Sequence, residues 1–138
     1  MERYAIYIPA EGKCRLVPCN DGDTCKLKTL QELVGGFIEV AESSLEPTWA
    51  REPVDCIHLI VNEDGLLLNL PDNPRATDLY AYGDRSVIVG DALLMAGRGE
   101  DLIGFSKPVC QTIAEFWDLE MEDFKNGKDN RFQTFSPD

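Results

Sequence analysis

Apolar residues recur at helical spacing in one short stretch of this chain. Leu30, Leu33, Val34 and Phe37 fall at i, i+3, i+4 and i+7, one stripe of an amphipathic helix. Thr29 and Glu32 stand at the spacing of a reciprocal capping box, which predicts a helix opening at Thr29. Gly35 and Gly36 offer positive φ at its end. Ile38 and Val40 then alternate with Glu39 as a strand does.

Period-two patterning marks the other elements. Tyr4 to Ile8 reads as a first strand, Glu11-Gly12-Lys13 as a turn, and Cys14 to Pro18 as a strand pairing back. Asn20 to Asp23 is a polar turn. Glu42 to Pro53 reads as a loop broken by Pro47 and Pro53, with Trp49 pinning it to the body. Val54 to Asn62 is the strongest strand signal. Cys56, His58 and Ile60 alternate with Ile57, Leu59 and Val61, so both faces are apolar and the strand is central.

Glu63-Asp64-Gly65 turns, Leu66 to Leu70 follows, and Leu70 to Pro74 is rigid and non-helical. Arg75 to Tyr82 is a short helix or irregular turn ended by Gly83. Ser86 to Ala96 is one strand bent at Gly90 or two short ones, with Gly90 marking a bulge or a close backbone approach. Gly97 to Glu100 turns, and Leu102 to Phe105 is a last short strand. Ser106 caps a final helix with Pro108 in its first turn. Val109, Ile113, Phe116 and Trp117 form its buried stripe, which Met121 and Phe124 extend.

Several strands, two substantial helices and short turns make an α+β chain rather than an alternating βαβ series. The expected architecture is a mainly antiparallel twisted sheet, able to curl toward a barrel, with two helices packed on one side of it. Residues 1–120 read as a single domain. From Lys125 the composition turns polar, so 121–138 reads as a mobile tail.

The formal net charge of −12 is divided equally between the halves, at −6 each. Neither half is basic, which argues against direct nucleic-acid binding through the phosphate backbone. Even acidity favours solubility. It also admits a surface that engages a basic partner or imitates nucleic acid. No apolar run reaches the roughly 20 residues a bilayer-spanning helix needs, and the N-terminus lacks a signal-peptide pattern, so a cytoplasmic location without membrane attachment is expected. Five cysteines (Cys14, Cys19, Cys25, Cys56, Cys110) with no Cys-x-x-Cys, and His58 as the sole histidine, give no recognisable metal knuckle. No metal site and no cofactor are expected, and reduced thiols are the default.

Candidate chemistry is sparse. Cys56 and His58 lie two apart on a strand and so share a face, which makes a Cys–His nucleophile pair conceivable. Their apolar strand favours a structural role, and no nucleophile elbow accompanies them. Asp91, Glu100 and Asp101 stand near glycines but lack a cation-loop spacing, so turn chemistry is favoured. Gly97-Arg98-Gly99 lacks the lysine and helix start of a phosphate loop.

The most suggestive polar cluster is Asn73, Arg75, Asp78, Tyr80 and Tyr82. An arginine held by a proline-bounded loop between amide and aromatic groups can recognise a carboxylate, a phosphate or a base. Against this, Arg75 can simply pair with an acid while the tyrosines cover the core. Trp49 is a second candidate contact, since a loop aromatic often anchors a partner. The expected binding residues are therefore Asn73, Arg75, Tyr80, Tyr82 and Trp49, with no catalytic residue among them.

Three signatures occur in order. The first is Leu30-Gln31-Glu32-Leu33-Val34-Gly35-Gly36-Phe37-Ile38-Glu39-Val40. The second is Asn62-Glu63-Asp64-Gly65-Leu66 with Leu70-Pro71-Asp72-Asn73-Pro74-Arg75-Ala76. The third is Ile88-Val89-Gly90-Asp91 with Gly99-Glu100-Asp101-Leu102. Over residues 4 to 116 the chain resembles the domain-of-unknown-function family thirty-eight forty-six. Its members are small proteins of Gram-positive gut bacteria, their phages and their conjugative elements. The chain departs from that pattern by the longer insert Glu42 to Pro53 and by the tail after Trp117.

The resemblance supplies no catalytic residues. It implies a bacterial or phage protein linked to mobile DNA, for which counter-defence is plausible by association only. The expected role is non-enzymatic binding or regulation of a host protein. A small nucleotide-like ligand bound through Arg75 with Tyr80 or Tyr82 is the alternative. A hydrolytic enzyme using Cys56 and His58 is the third and least favoured.

Overall fold

The computed structural model describes residues 2–122. Six strands form one antiparallel sheet: β1 (Tyr4–Ile8), β2 (Arg15–Pro18), β3 (Ile38–Glu42), β4 (Cys56–Asn62), β5 (Ala92–Arg98) and β6 (Asp101–Ile103). The spatial order is β2-β1-β5-β4-β3, and β6 pairs with β5 beyond the end of β1. The sheet does not close on itself: β2 and β3 are its two ends. Three α-helices accompany it: α1 (Leu27–Val34), α2 (Pro74–Leu79) and α3 (Lys107–Phe116).

The helices lie on both faces of the sheet, not on one. Leu30, Leu33 and Val34 of α1 pack with Ala5, Val17, Ile60, Leu93 and Met95. Val109, Cys110 and Ile113 of α3, with Ala76 and Leu79 of α2, pack on Ile6, Leu16, Ile57, Leu59 and Leu94. The cause is the two-sided apolar patterning of β1, β4 and β5. A strand apolar on both faces must be covered on both, and each buried Leu or Ile contributes roughly 1.5–3 kcal/mol. β4 is interior, as its pattern predicts, and β5 is buried along nearly its whole length.

Several local expectations are corrected. α1 begins at Leu27 with Lys26 as its N-cap and no side-chain cap, so Thr29 already lies inside the helix and forms no capping box. Burying the Leu30, Leu33 and Val34 stripe outweighs a cap worth about 1 kcal/mol. Gly35 alone takes the left-handed conformation, at φ 84°, and its amide donates to the Gln31 carbonyl. The chain leaves the helix there, so Phe37 departs from the stripe and is 68% exposed. Phe116 departs likewise, 69% exposed on the last turn of α3.

Ser86 to Val89 are not a strand; β5 starts at Ala92. Gly90 has φ 78°, and a Cβ there would stand 2.7 Å from Leu70 Cδ1, so its role is a close approach in a left-handed turn. The last short strand occupies Asp101–Ile103 rather than reaching Phe105, which joins Tyr4 through an isolated bridge. The loop after β3 contains a 3₁₀ turn at Pro47–Ala50, and Trp49 packs against the core as expected. Ser106 caps α3 through the Val109 amide. Of the stretch 121–138, Met121 and Glu122 are described. Met121 bridges Cys14, and the Glu122 amide donates to the Cys14 carbonyl. Phe124 and the polar stretch from Lys125 lie outside the described residues. Among the described residues no helix is long and apolar enough to cross a membrane.

Candidate functional site

The structure separates the residues that the sequence groups together. Asn73 is fully enclosed. Its Nδ2 donates to the carbonyls of Ile8 (2.9 Å) and Gly90 (2.8 Å), and its Oδ1 accepts from the Ala76 amide at the start of α2 (3.1 Å). Both polar atoms of the side chain are bonded within the chain, so Asn73 ties the end of β1, the turn at Gly90 and the start of α2 together. Arg75 is half-buried and donates through Nη2 to the Pro9 carbonyl at 2.6 Å. Beside it, Asp91 accepts from Tyr7 Oη (2.8 Å) and from the Ala10 amide (2.9 Å). These bonds draw Leu70–Ala76, Ile88–Asp91 and the end of β1 to one corner. Two signatures that carry the family resemblance therefore meet here as structural ties.

Tyr80 and Tyr82 lie elsewhere. Tyr80 bridges Ser43 just past β3, and the Ala81 amide donates to the Glu42 carbonyl. The two tyrosine rings stand edge to face at 5.6 Å, and Tyr82 Oη donates to Glu42 Oε1 at 2.9 Å. That bond raises the Tyr82 phenol above its usual range. Arg85 lies over the Tyr82 ring at 5.5 Å. Trp49 forms a third location with Phe116 and Trp117, at ring separations of 5.1 and 4.8 Å.

Two concavities matter. One, of about 520 Å³, lies at the β1–β2 end and is walled by Lys13 and Arg15 together with Glu11, Asp91 and Glu122. Three carboxylates against two cations disfavour an anionic nucleotide there, and neither Arg75, Tyr80 nor Tyr82 is on its wall.

The other, of about 440 Å³, runs along the groove between β3 and the loops 62–70 and 86–90. Glu39, Ala41, Leu66, Leu67, Tyr80 and Val87 are among its walls. Three consecutive leucines stand in solvent beside it: Leu66, Leu67 and Leu68 are 76%, 86% and 58% exposed. Sequence reading missed this feature. The available signal was a leucine run without alternation between two polar turns, Asn62 to Gly65 and Asn69.

The groove's floor is fixed by Asn62, which is buried. Its Nδ2 donates to the Val34 carbonyl at the end of α1 (3.0 Å), and its Oδ1 accepts from the Asp64 amide (2.7 Å). The signature Asn62-Glu63-Asp64-Gly65-Leu66 thus shapes the turn that presents the leucines.

Cys56 and His58 do come together, with Sγ 2.8 Å from Nε2. Gly97 opposite leaves the room: a Cβ there would sit 2.9 Å from Nε2 and 3.0 Å from Sγ. The thiol is nevertheless pushed up by partial burial, then by the negative charges of Asp55 and Glu42. A raised thiol holds less thiolate at neutral pH, and thiolate is the nucleophile. The expected result is that Cys56 alkylates at pH 7 no faster than in the denatured chain, read by mass spectrometry of its peptide. Faster labelling would mark an activated nucleophile. Among the described residues no group of three or more His, Cys, Asp or Glu is placed to hold a metal.

The sequence model of a family described as Domain of unknown function (DUF3846) matches residues 1–118. The chain belongs to this family. Comparison with curated proteins and with solved structures finds no match. Residues 1–118 take in the six-stranded sheet, the three helices of the described residues and the groove.

Proposed function

We propose that this family member is a non-enzymatic binding protein that acts by holding a partner protein in the groove beside β3. The observation that carries this is the solvent-facing run Leu66, Leu67 and Leu68. A leucine left in water forgoes roughly 1.5–3 kcal/mol of burial, which an occupant of the groove recovers in part. Glu39 and Glu63 line the same groove, and the chain carries a net charge of −12, so the complementary partner is basic. In the mobile-element setting implied by the family resemblance, that partner is a host protein. The sharper form of the reading is an inhibitor of host defence.

The test is capture from the native bacterial host with the wild-type chain and with Leu67→Glu, followed by affinity measurement on the identified partner. Leu67 is the most exposed of the three leucines, so its replacement leaves stability within about 0.5 kcal/mol. The substitution is expected to weaken the complex about tenfold or more, and raising salt from about 50 to about 500 mM to weaken it further. A complex indifferent to both changes would remove this reading.

A further inference from the structure

We propose that β3 takes up an extended basic segment of the partner as an additional strand of the sheet. This rests on the reading of the chain as a partner-binding protein and names how the partner is held. The Glu63 amide donates to the Phe37 carbonyl at 2.8 Å, and the Ser43 amide to the Ile57 carbonyl at 3.3 Å. Hydrogen-bonded pairs alternate along an antiparallel ladder. Phe37, Glu39, Ala41 and Ser43 therefore direct their backbone groups at β4, while Ile38, Val40 and Glu42 direct theirs outward. The chain uses part of that outer edge itself: the Glu42 carbonyl accepts from Ala81 at 3.0 Å, and the Ser44 amide donates to Leu79 at 2.8 Å. Gly83 then turns the chain away. The backbone groups of Ile38 and Val40 find no hydrogen-bond partner among the described residues.

An open edge of this kind is a template for strand addition. Its chemistry selects the occupant. Glu39 and Glu42 stand on β3, both exposed, and Glu63 lies just past the paired end of β4. A second copy of the chain would bring its own acidic edge and another −12 of charge, so self-pairing is disfavoured. A strand carrying Lys or Arg is favoured. On the groove side, Glu39 and Ala41 neighbour Leu66, Leu67 and Val87. An added strand projects alternate side chains to that side. Glutamates stand on both faces of this edge, Glu39 and Glu63 with the leucines in the groove and Glu42 on the other side, so a segment alternating apolar and basic side chains meets a carboxylate with its basic face in either register.

The experiment uses the full chain with two synthetic peptides, one alternating valine and lysine and one alternating valine and glutamate. The lysine peptide is expected to bind and to slow amide exchange at Ile38 and Val40, while the glutamate peptide leaves both unchanged. Proline is tolerated on an edge strand where its missing N–H faces solvent, so Val40→Pro keeps the β4 ladder and is expected to cut binding about tenfold or more. The same loss is expected when the lysine peptide is N-methylated at alternate residues, a measurement that needs no variant chain. Glu39→Lys with Glu42→Lys is expected to transfer the preference to the glutamate peptide.

Equal binding of the methylated and unmethylated peptides, or no protection of Ile38 and Val40, overturns strand addition. Dimers that disappear in Val40→Pro overturn the basic occupant in favour of a second copy. A captured partner that is lost with Leu67→Glu but kept by Val40→Pro overturns strand addition while the partner-binding reading stands.

Discussion

Asn73→Ala is expected to destabilise the chain by about 3 kcal/mol, lowering the unfolding midpoint by roughly 10 °C. The side chain is wholly enclosed and holds three segments at once: the end of β1 through Ile8, the turn at Gly90, and the first turn of α2 through Ala76. Loss of the cap accounts for about 1 kcal/mol. The rest comes from two carbonyls that lose a buried donor, since burying an unpaired polar group costs about 1–3 kcal/mol. Thermal and urea unfolding measure it directly, and a loss under about 1 kcal/mol would mean that water enters and satisfies those groups.

Asn73→Asp sharpens the test. It keeps the capping oxygen but sets a carboxylate oxygen against the two carbonyls that Nδ2 now meets at 2.9 and 2.8 Å. The charged form is disfavoured there, so the folded pKa rises above the unfolded value of about 3.9. A raised folded pKa means that stability is retained below about pH 4 and lost as pH climbs through the folded value. The variant should therefore approach the wild type in acid and fall behind it at neutral pH. A pH-independent difference would show that packing, not the carbonyl contacts, sets the effect.

How legible this chain is depends on the range of the interaction concerned. β1, the central character of β4, the Ser106 cap of α3 and the left-handed turn at Gly35 depend on neighbouring residues, and period and turn chemistry reveal them. The capping box failed because a locally favourable pairing at Thr29 competed with a tertiary one, the fit of the α1 stripe on Ile60, Leu93 and Met95. The division of helices between the two faces was implicit in the double-sided patterning of β4. It became decisive only with β5, whose continuous burial no alternation announces.

The candidate site was harder still. Asn73 and Arg75 look like ligand-binding groups in a rigid loop, yet they satisfy carbonyls at the end of β1 and just past it, Ile8 and Pro9, that are 65 and 66 positions away in sequence. The polar residues that attract notice in sequence are largely those that tie loops together. The surface that remains free is set by a leucine run and by the alternation of backbone bonds along β3. The leucine run is visible in the sequence, but its exposure and the open edge of β3 depend on which neighbours the fold leaves out.

Cys19 and Cys25 are expected to join in a disulfide when the chain is incubated with oxidised glutathione, raising stability by roughly 2 kcal/mol. Their sulfurs lie 2.7 Å apart. Asp21 and Thr24 between them already close the turn through mutual backbone bonds of 3.0 and 3.1 Å, so a bridge needs little rearrangement of the loop. One thiolate attacks glutathione disulfide and releases one glutathione. The second cysteine then displaces the other, and the chain loses two hydrogens. Cross-linking a loop of about seven residues removes unfolded-state entropy worth roughly 2 kcal/mol, a shift of several degrees.

The reaction should be slow at neutral pH. The Cys25 thiol is pushed well above its ordinary range, first by its hydrogen bond to Cys19 and then by burial, so the thiolate is scarce. Raising the pH to about 9 should speed the bridge, in the sense expected for a thiol with an elevated pKa. Peptide mapping should place the link at Cys19 and Cys25, the pair whose sulfurs are in contact, while Cys56 sits against His58. Cys25→Ser should abolish both the mass change and the added stability. A bridge mapped to another pair, or a chain equally stable before and after oxidation, would mean that the turn opens freely and that the proximity of the two sulfurs holds nothing in place.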